Sequence, residues 1–230
     1  MKSRKVSIPV GKDETVSGVI SIPQGYQPSK TIGVILAHGS ANDMENTLLV
    51  AAADGLCREG FLTLRFNFLY KEKGRKSPDS QKKLVNTWQC VFEYLNNHPK
   101  FAPGKIVAAG KSMGGRVAAQ MAAAGELPVH GLVFLGYPLH PPGKKDQLRD
   151  THLYDIGVPM LFFAGTRDSL CDLTLLQEVL KRLKPPWHLE IIEGGDHSFN
   201  LVKSANISRE QIDNHITKEA VKWLIDNLAA

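Results

Sequence analysis

Ser112 stands between two glycines in "GKSMG", where a short apolar run ("KIVAAG") gives way to an alanine-rich helix former. A serine hydroxyl is a poor nucleophile until a base removes its proton, and that base needs a third group to orient it. The chain holds eight histidines. His98 precedes a proline at a helix end, His188 alternates outward on a strand, and His215 falls inside the last helix. His197 differs: it follows a strand in "IIEGGDHSFN", in a loop loosened by Gly194 and Gly195. Asp168 follows another strand in "PMLFFAGTRDSLCD" and is the expected orienting carboxylate. Asp172 is better placed to cap the next helix and stays the alternative acid; Asp196 is too near His197 in sequence. The chemistry expected of Ser112, Asp168 and His197 is acyl transfer to water through an acyl-serine.

Such a reaction needs N–H donors aimed at the developing oxyanion. One is expected from Met113, at the helix start. The second is expected from the loop after "GVILAHG": the Ser40 N–H, then that of Ala41. His38 and Gly39 are expected to shape that loop and take no part in the chemistry.

These residues need a scaffold that gathers them at one rim. A sharp strand-to-helix turn lifts a serine above a sheet and leaves no room for side chains two residues away, which accounts for Gly110 and Gly114; Gly115 is read as slack in the first helical turn. Eight strand-like runs recur: "KVSIPV", "TVSGVISI", "TIGVILAHG", "FLTLRFNF", "KIVAAG", "GLVFLG", "PMLFFAG" and "HLEIIEG". From the third onward they are mostly apolar on both faces, as strands covered on each side must be. Amphipathic helices fill the gaps, and Ser208 with Gln211 forms a capping-box pattern before the last one. The alternation predicts an α/β fold with a mainly parallel sheet of about eight strands and helices on both faces. The first two strands are separated only by "GKDE" and are expected to form an antiparallel edge hairpin. One domain over residues 1–230 is expected, with no insertion long enough for a full lid.

Composition narrows the function. No apolar run approaches the roughly 18 residues of a membrane span, and the start has no apolar signal-peptide core. Three scattered cysteines form no metal or redox spacing, so no metal is expected, and a reducing, cytoplasmic setting is. The net charge of +5 comes from dispersed residues without a nucleic-acid module. The partner expected is therefore a small molecule, with no nucleic acid, no membrane and no cofactor; protein partners stay open. Two long basic loops, residues 67–81 and 137–153, are expected to border a shallow site for small or anionic acyl groups. Arg65, Tyr70, Arg75, Tyr137 and His140 are the candidate substrate contacts.

"AHGS", "GKSMGG", "GTRD" and "GGDHSF" together resemble the α/β-hydrolase superfamily, over about residues 6–228. The chain looks closest to the dienelactone-hydrolase-like branch. Within it, "GKSMGGRVAA", "GYPLHPPGKKDQLRDTHL" and "LRFNF" resemble testis-expressed-30 type proteins, related to the hydrolase-like domain of a non-specific-lethal histone acetyltransferase subunit. The superfamily resemblance implies an α/β-hydrolase fold and a triad of Ser112, His197 and Asp168. Two departures stand out: dienelactone hydrolases carry a cysteine nucleophile where this chain has Ser112, and a lipase-type "HGGG" is replaced by "HGSA". The expected function is a serine hydrolase for small carboxylic esters or thioesters. A hydrolase-like protein-interaction module and an amidase or peptidase are the alternatives.

Overall fold

The computed structural model describes residues 1–202 and 205–228. Eight strands form one sheet: β1 (Lys2–Pro9), β2 (Thr15–Ile22), β3 (Ile32–Ala37), β4 (Leu62–Phe66), β5 (Lys105–Lys111), β6 (Gly131–Leu135), β7 (Met160–Gly165) and β8 (Trp187–Ile192). Their spatial order is β1-β2-β4-β3-β5-β6-β7-β8. The β1–β2 and β2–β4 pairings are antiparallel and all others parallel. All eight expected strands form, and the edge hairpin turns at the expected place.

The helices are α1 (Thr47–Arg58), α2 (Leu69–Glu72), α3 (Gln81–Asn96), α4 (Met113–Ala123), α5 (Leu173–Leu180) and α6 (Arg209–Leu228). Local chemistry sets their ends. Gly60, at φ +96°, reverses the chain after α1. The Asp172 carboxylate accepts the Leu175 N–H at the start of α5. Ser208 and Gln211 exchange hydrogen bonds of 2.7 and 3.1 Å before α6, a reciprocal cap.

Alternate residues of each strand feed two separate cores. Ile35 and Ala37 of β3 point to one side, packed with Leu64, Trp88 and Val117; Val34 and Leu36 point to the other, with Leu49, Ile216 and Leu224. Helices α3, α4 and α5 thus cover one face and α1 and α6 the other. Among the described residues no helix is long and apolar enough to cross a membrane, and no lid covers the sheet.

The order places a topological switch at β3. The chain leaves β3 for β4 on one side and returns to β5 on the other. Connections therefore diverge above the carboxyl ends of β3 and β5 and leave a crevice there. The loops holding Ser40 and Ser112 both begin at that crevice.

Two segments expected as open loops are partly helical. Residues 67–81 include the single turn α2, which buries Leu69 and Tyr70, and residues 137–153 run into a 3-10 turn, Thr151–Asp155. Apolar side chains inside polar stretches draw these segments down onto the core.

Candidate active site

Ser112 joins β5 to α4 in a conformation that L-residues rarely adopt, φ 50° and ψ −116°. Sparsely populated backbone of this kind persists where its surroundings over-determine it. The surroundings here are glycine backbone. A Cβ on Gly110 would meet the Gly115 nitrogen at 2.2 Å, and one on Gly114 would meet the Ala37 and His38 carbonyls at 2.7 Å. Gly115 does not supply the expected slack: its bare Cα lets α4 sit against Gly110, whose carbonyl a Cβ would meet at 2.7 Å. The Trp88 indole N–H donates to the Gly114 carbonyl at 3.1 Å and pins the helix start from α3.

His197 and Asp168 reach the same rim from the loops after β8 and β7. The His197 Nε2 lies 2.8 Å from the Ser112 Oγ, and its Nδ1 lies 2.7 Å from the Asp168 Oδ2. The Asp168 Oδ1 accepts the Leu170 N–H at 2.8 Å, which holds the carboxylate edge toward the ring. The Asp168 side chain is fully buried, while that of His197 keeps 19% of its surface exposed. A buried acid behind a partly open imidazole leaves the outer face of Ser112 free for a ligand.

Contacts from β7, α6 and β5 help fix the His197 loop. Gly165 lacks a side chain where a Cβ would strike the Gly195 carbonyl at 2.2 Å, so the two loops interlock. The Arg209 Nη1 donates to the Ser198 carbonyl at 2.8 Å from α6. The buried Lys111 Nζ donates to the His197 carbonyl at 3.3 Å. Burial lowers the Lys111 pKa, and the nearby Asp168 and Asp196 carboxylates partly oppose that.

The 39–42 turn, closed by the Asn42 N–H on the Gly39 carbonyl at 3.2 Å, faces Ser112. A Cβ on Gly39 would lie 3.4 Å from the Ser112 Cβ. Neither the Ser40 nor the Met113 N–H donates to an acceptor among the described residues. His38 braces the turn from below. Its Nδ1–H donates to the Gly39 carbonyl at 2.8 Å, and its Nε2 accepts the Phe68 N–H at 3.1 Å. Both ring nitrogens are committed in the neutral form.

That commitment has a pH consequence. Burial pushes the His38 pKa down to about 4 from 6.5, against the opposing hydrogen bond to Gly39. As pH falls, the unfolded chain takes up the proton first. Stability from this group is complete above the ordinary histidine pKa and drains away between there and about 4. His152, pushed down to about 4 by burial and by Arg116, acts in the same direction. From His38 alone the protein is expected to be about 2 kcal/mol less stable at pH ~5 than at pH ~7, read as a drop in urea midpoint. The His38→Asn chain should show a shallower dependence; an equal slope in both chains would contradict this.

The candidate substrate contacts are distributed differently from the expectation. The Arg65 Nη1 donates to the Met44 carbonyl at 2.9 Å and pairs with Glu45 at 2.7 Å. The buried Tyr70 hydroxyl donates to the Ser40 carbonyl at 2.9 Å, with the Gly39 carbonyl at 3.3 Å. Tyr137, also buried, donates to the Arg149 carbonyl at 2.7 Å. His140 sits between the Pro141 carbonyl and the Asp172 N–H. Arg75 is exposed and pairs with Asp79. Asp172 faces Lys145 and the start of α5, not His197.

Both long loops do border the site. A cleft of about 330 Å³ opens beside Ser112 and Met113, walled by Asp79 from one loop, Arg149 from the other and Arg116 from α4. These three were missed. Arg116 had a signal, since position i+4 on a helix shares a face with Ser112; Asp79 and Arg149 had none. Among the described residues no group of three or more histidine, cysteine or acidic side chains is placed to hold a metal ion.

Residues 30–225 match the family model described as an alpha/beta hydrolase domain. The chain belongs to the alpha/beta hydrolase family. Solved structures agree on the fold of this hydrolase. A dienelactone hydrolase from Anabaena variabilis is 22% identical, with TM-score 0.77, covering 99% of this chain and 98% of that one. An alpha-beta serine hydrolase homologue from Coxiella burnetii is 21% identical, with TM-score 0.71 and the same coverages, 99% and 98%. A serine hydrolase without lid from Xanthomonas campestris is 19% identical, with TM-score 0.73, covering 98% and 94%.

Proposed function

We propose that this hydrolase cleaves small carboxylic esters or thioesters through an acyl-enzyme, with Ser112 as nucleophile, His197 as base and Asp168 as orienting acid. The observation that carries this reading is the unbroken hydrogen-bonded run from Asp168 through His197 to Ser112, beside an open cleft. The Ser112 Oγ attacks the carbonyl carbon while the His197 Nε2 takes its proton. Asp168 keeps the other ring nitrogen protonated and steadies the imidazolium. The oxyanion rests on the Met113 and Ser40 N–H groups. Collapse expels the alcohol or thiol, protonated by His197; water then repeats the attack and returns Ser112. Three free cysteines, each with a thiol pKa raised by burial, fit a cytoplasmic setting. The closer kinship we favour is with testis-expressed-30 type proteins, on the three motifs quoted above.

A fluorophosphonate probe tests this. The native chain should label and Ser112→Ala should not. Equal labelling of both would remove Ser112 as nucleophile. No labelling of a folded native chain would favour a protein-interaction module, and cleavage of anilides in preference to matched esters would favour an amidase.

The Tyr70 hydroxyl holds the Ser40 peptide in place, so Tyr70→Phe should act through the oxyanion turn. The expected result is a kcat lower by about 10-fold with KM little changed, and a stability loss of about 1 kcal/mol. Steady-state kinetics on p-nitrophenyl acetate and thermal melts check it.

A further inference from the structure

Two arginines line the cleft beside Ser112. Arg116 stands one helical turn beyond Ser112 on α4, and Arg149 lies in the loop after β6. Among the described residues neither forms an ion pair. Among the described residues the Arg149 Nη1 has one long contact, 3.4 Å to the Pro138 carbonyl, and the Arg116 Nε is buried without a partner. The two guanidinium groups feel each other: burial, and then Arg149, lower the Arg116 pKa.

Two acids lie nearby. Asp150 accepts the Tyr154 hydroxyl at 2.5 Å, and Asp79, which also lines the cleft, pairs with Arg75 through Oδ1, while its Oδ2 is buried without a partner among the described residues. Arg149 is also held in place. Its N–H donates to the Leu139 carbonyl at 2.8 Å, and its carbonyl accepts the Tyr137 hydroxyl at 2.7 Å. Because that hydroxyl donates to a carbonyl, it receives the His152 Nε2–H at 2.8 Å, which ties the loop to the 3-10 turn. Adjacent like charges partly withdrawn from water are unfavourable unless an anion joins them. Guanidinium forks match the paired oxygens of carboxylate and phosphate.

We propose that Arg116 and Arg149 form a binding site for a second, anionic group on the substrate, a carboxylate or phosphate attached to the ester or thioester that Ser112 attacks. This rests on the serine-hydrolase reading for the reaction, but the anion site itself is testable without turnover.

Two ester pairs read it. In the first, p-nitrophenyl hydrogen glutarate, with the anion on the acyl side, is compared with p-nitrophenyl valerate. In the second, the butanoyl ester of a carboxylated nitrophenol, with the anion on the leaving group, is compared with p-nitrophenyl butanoate. The native chain should favour the anionic ester in one pair by about 30-fold in kcat/KM. That ratio should fall toward about one in Arg116→Met with Arg149→Gln, and to an intermediate value in Arg149→Lys, which keeps the charge and loses the fork. Ratios near one in both pairs, or a ratio that the double variant leaves intact, would overturn the assignment. Calorimetric titration of the Ser112→Ala chain with glutarate and with inorganic phosphate separates the two ideas. If esters and fluorophosphonate both fail to react but one anion still binds, and the arginine variants abolish that binding, the serine-hydrolase reading falls and the anion site stands. If neither anion binds and neither ester pair shows a preference, the anion site falls.

Discussion

His197→Ala is expected to lower kcat/KM for p-nitrophenyl acetate by about 10⁴-fold, and Asp168→Asn by about 10³- to 10⁴-fold. The two losses have different origins. Without His197 nothing takes the Ser112 proton. With asparagine at 168, the amide can offer an N–H to the ring Nδ1; the imidazole then settles in the opposite tautomer, with its proton on the side facing Ser112. Neither change should unfold the protein. His197 keeps part of its surface exposed, and asparagine fills the Asp168 site and can still accept the Leu170 N–H. Groups that act as a unit do not add, so Ser112→Ala combined with His197→Ala should be scarcely worse than either alone. Steady-state rates, with circular dichroism to certify the fold, are the measurement. A loss below about 10-fold for His197→Ala would show that another base serves Ser112.

Gly110→Ala should have a large effect on the fold itself. All three atoms that the new Cβ meets most closely are backbone: Gly115 N at 2.2 Å, Gly115 Cα at 2.5 Å and Gly114 C at 2.6 Å. No rotamer change relieves a clash with backbone, so α4 must move away from β5. That movement would carry the Met113 N–H away from Ser112 and open the packing of Val117 and Ala118. A cost of about 3–5 kcal/mol follows, a melting point lower by about 10 °C, with esterase activity lost. Gly157 is the control. Nothing lies within 4 Å of a Cβ built there and its backbone needs no positive φ, so Gly157→Ala should melt within about 2 °C of the native chain. Similar melting points for the two variants would refute the close-packed elbow.

These two experiments probe features of different legibility. The elbow could be read from the chain because its causes are local: a glycine two residues either side of Ser112 reports crowding that involves the same short segment. The strands were legible for a similar reason, since apolar runs bounded by turn residues carry their own signal. Asp172 as a helix cap and Ser208 with Gln211 as a reciprocal cap are likewise decided within one turn. His197 and Asp168 could be singled out because each follows a strand end, and in a parallel sheet those ends share one edge.

The cleft could not be read in the same way. Tyr70 and Tyr137 stand in polar, basic stretches that look like exposed loops, yet both side chains are buried and their hydroxyls hold backbone carbonyls. Arg65 was a candidate contact, but β4 carries it to the Met44 carbonyl and Glu45.

The amino-acid sequence alone thus determined the α/β architecture and the elbow, and singled out the three residues proposed to relay a proton, because periodicity and turn chemistry act over a few neighbours. Tertiary structure decided the strand order, the crevice at β3 and the placing of Arg116 and Arg149 on one cleft. Those depend on which distant segments pack together, and burial of apolar surface, which drives that packing, has no direction along the chain.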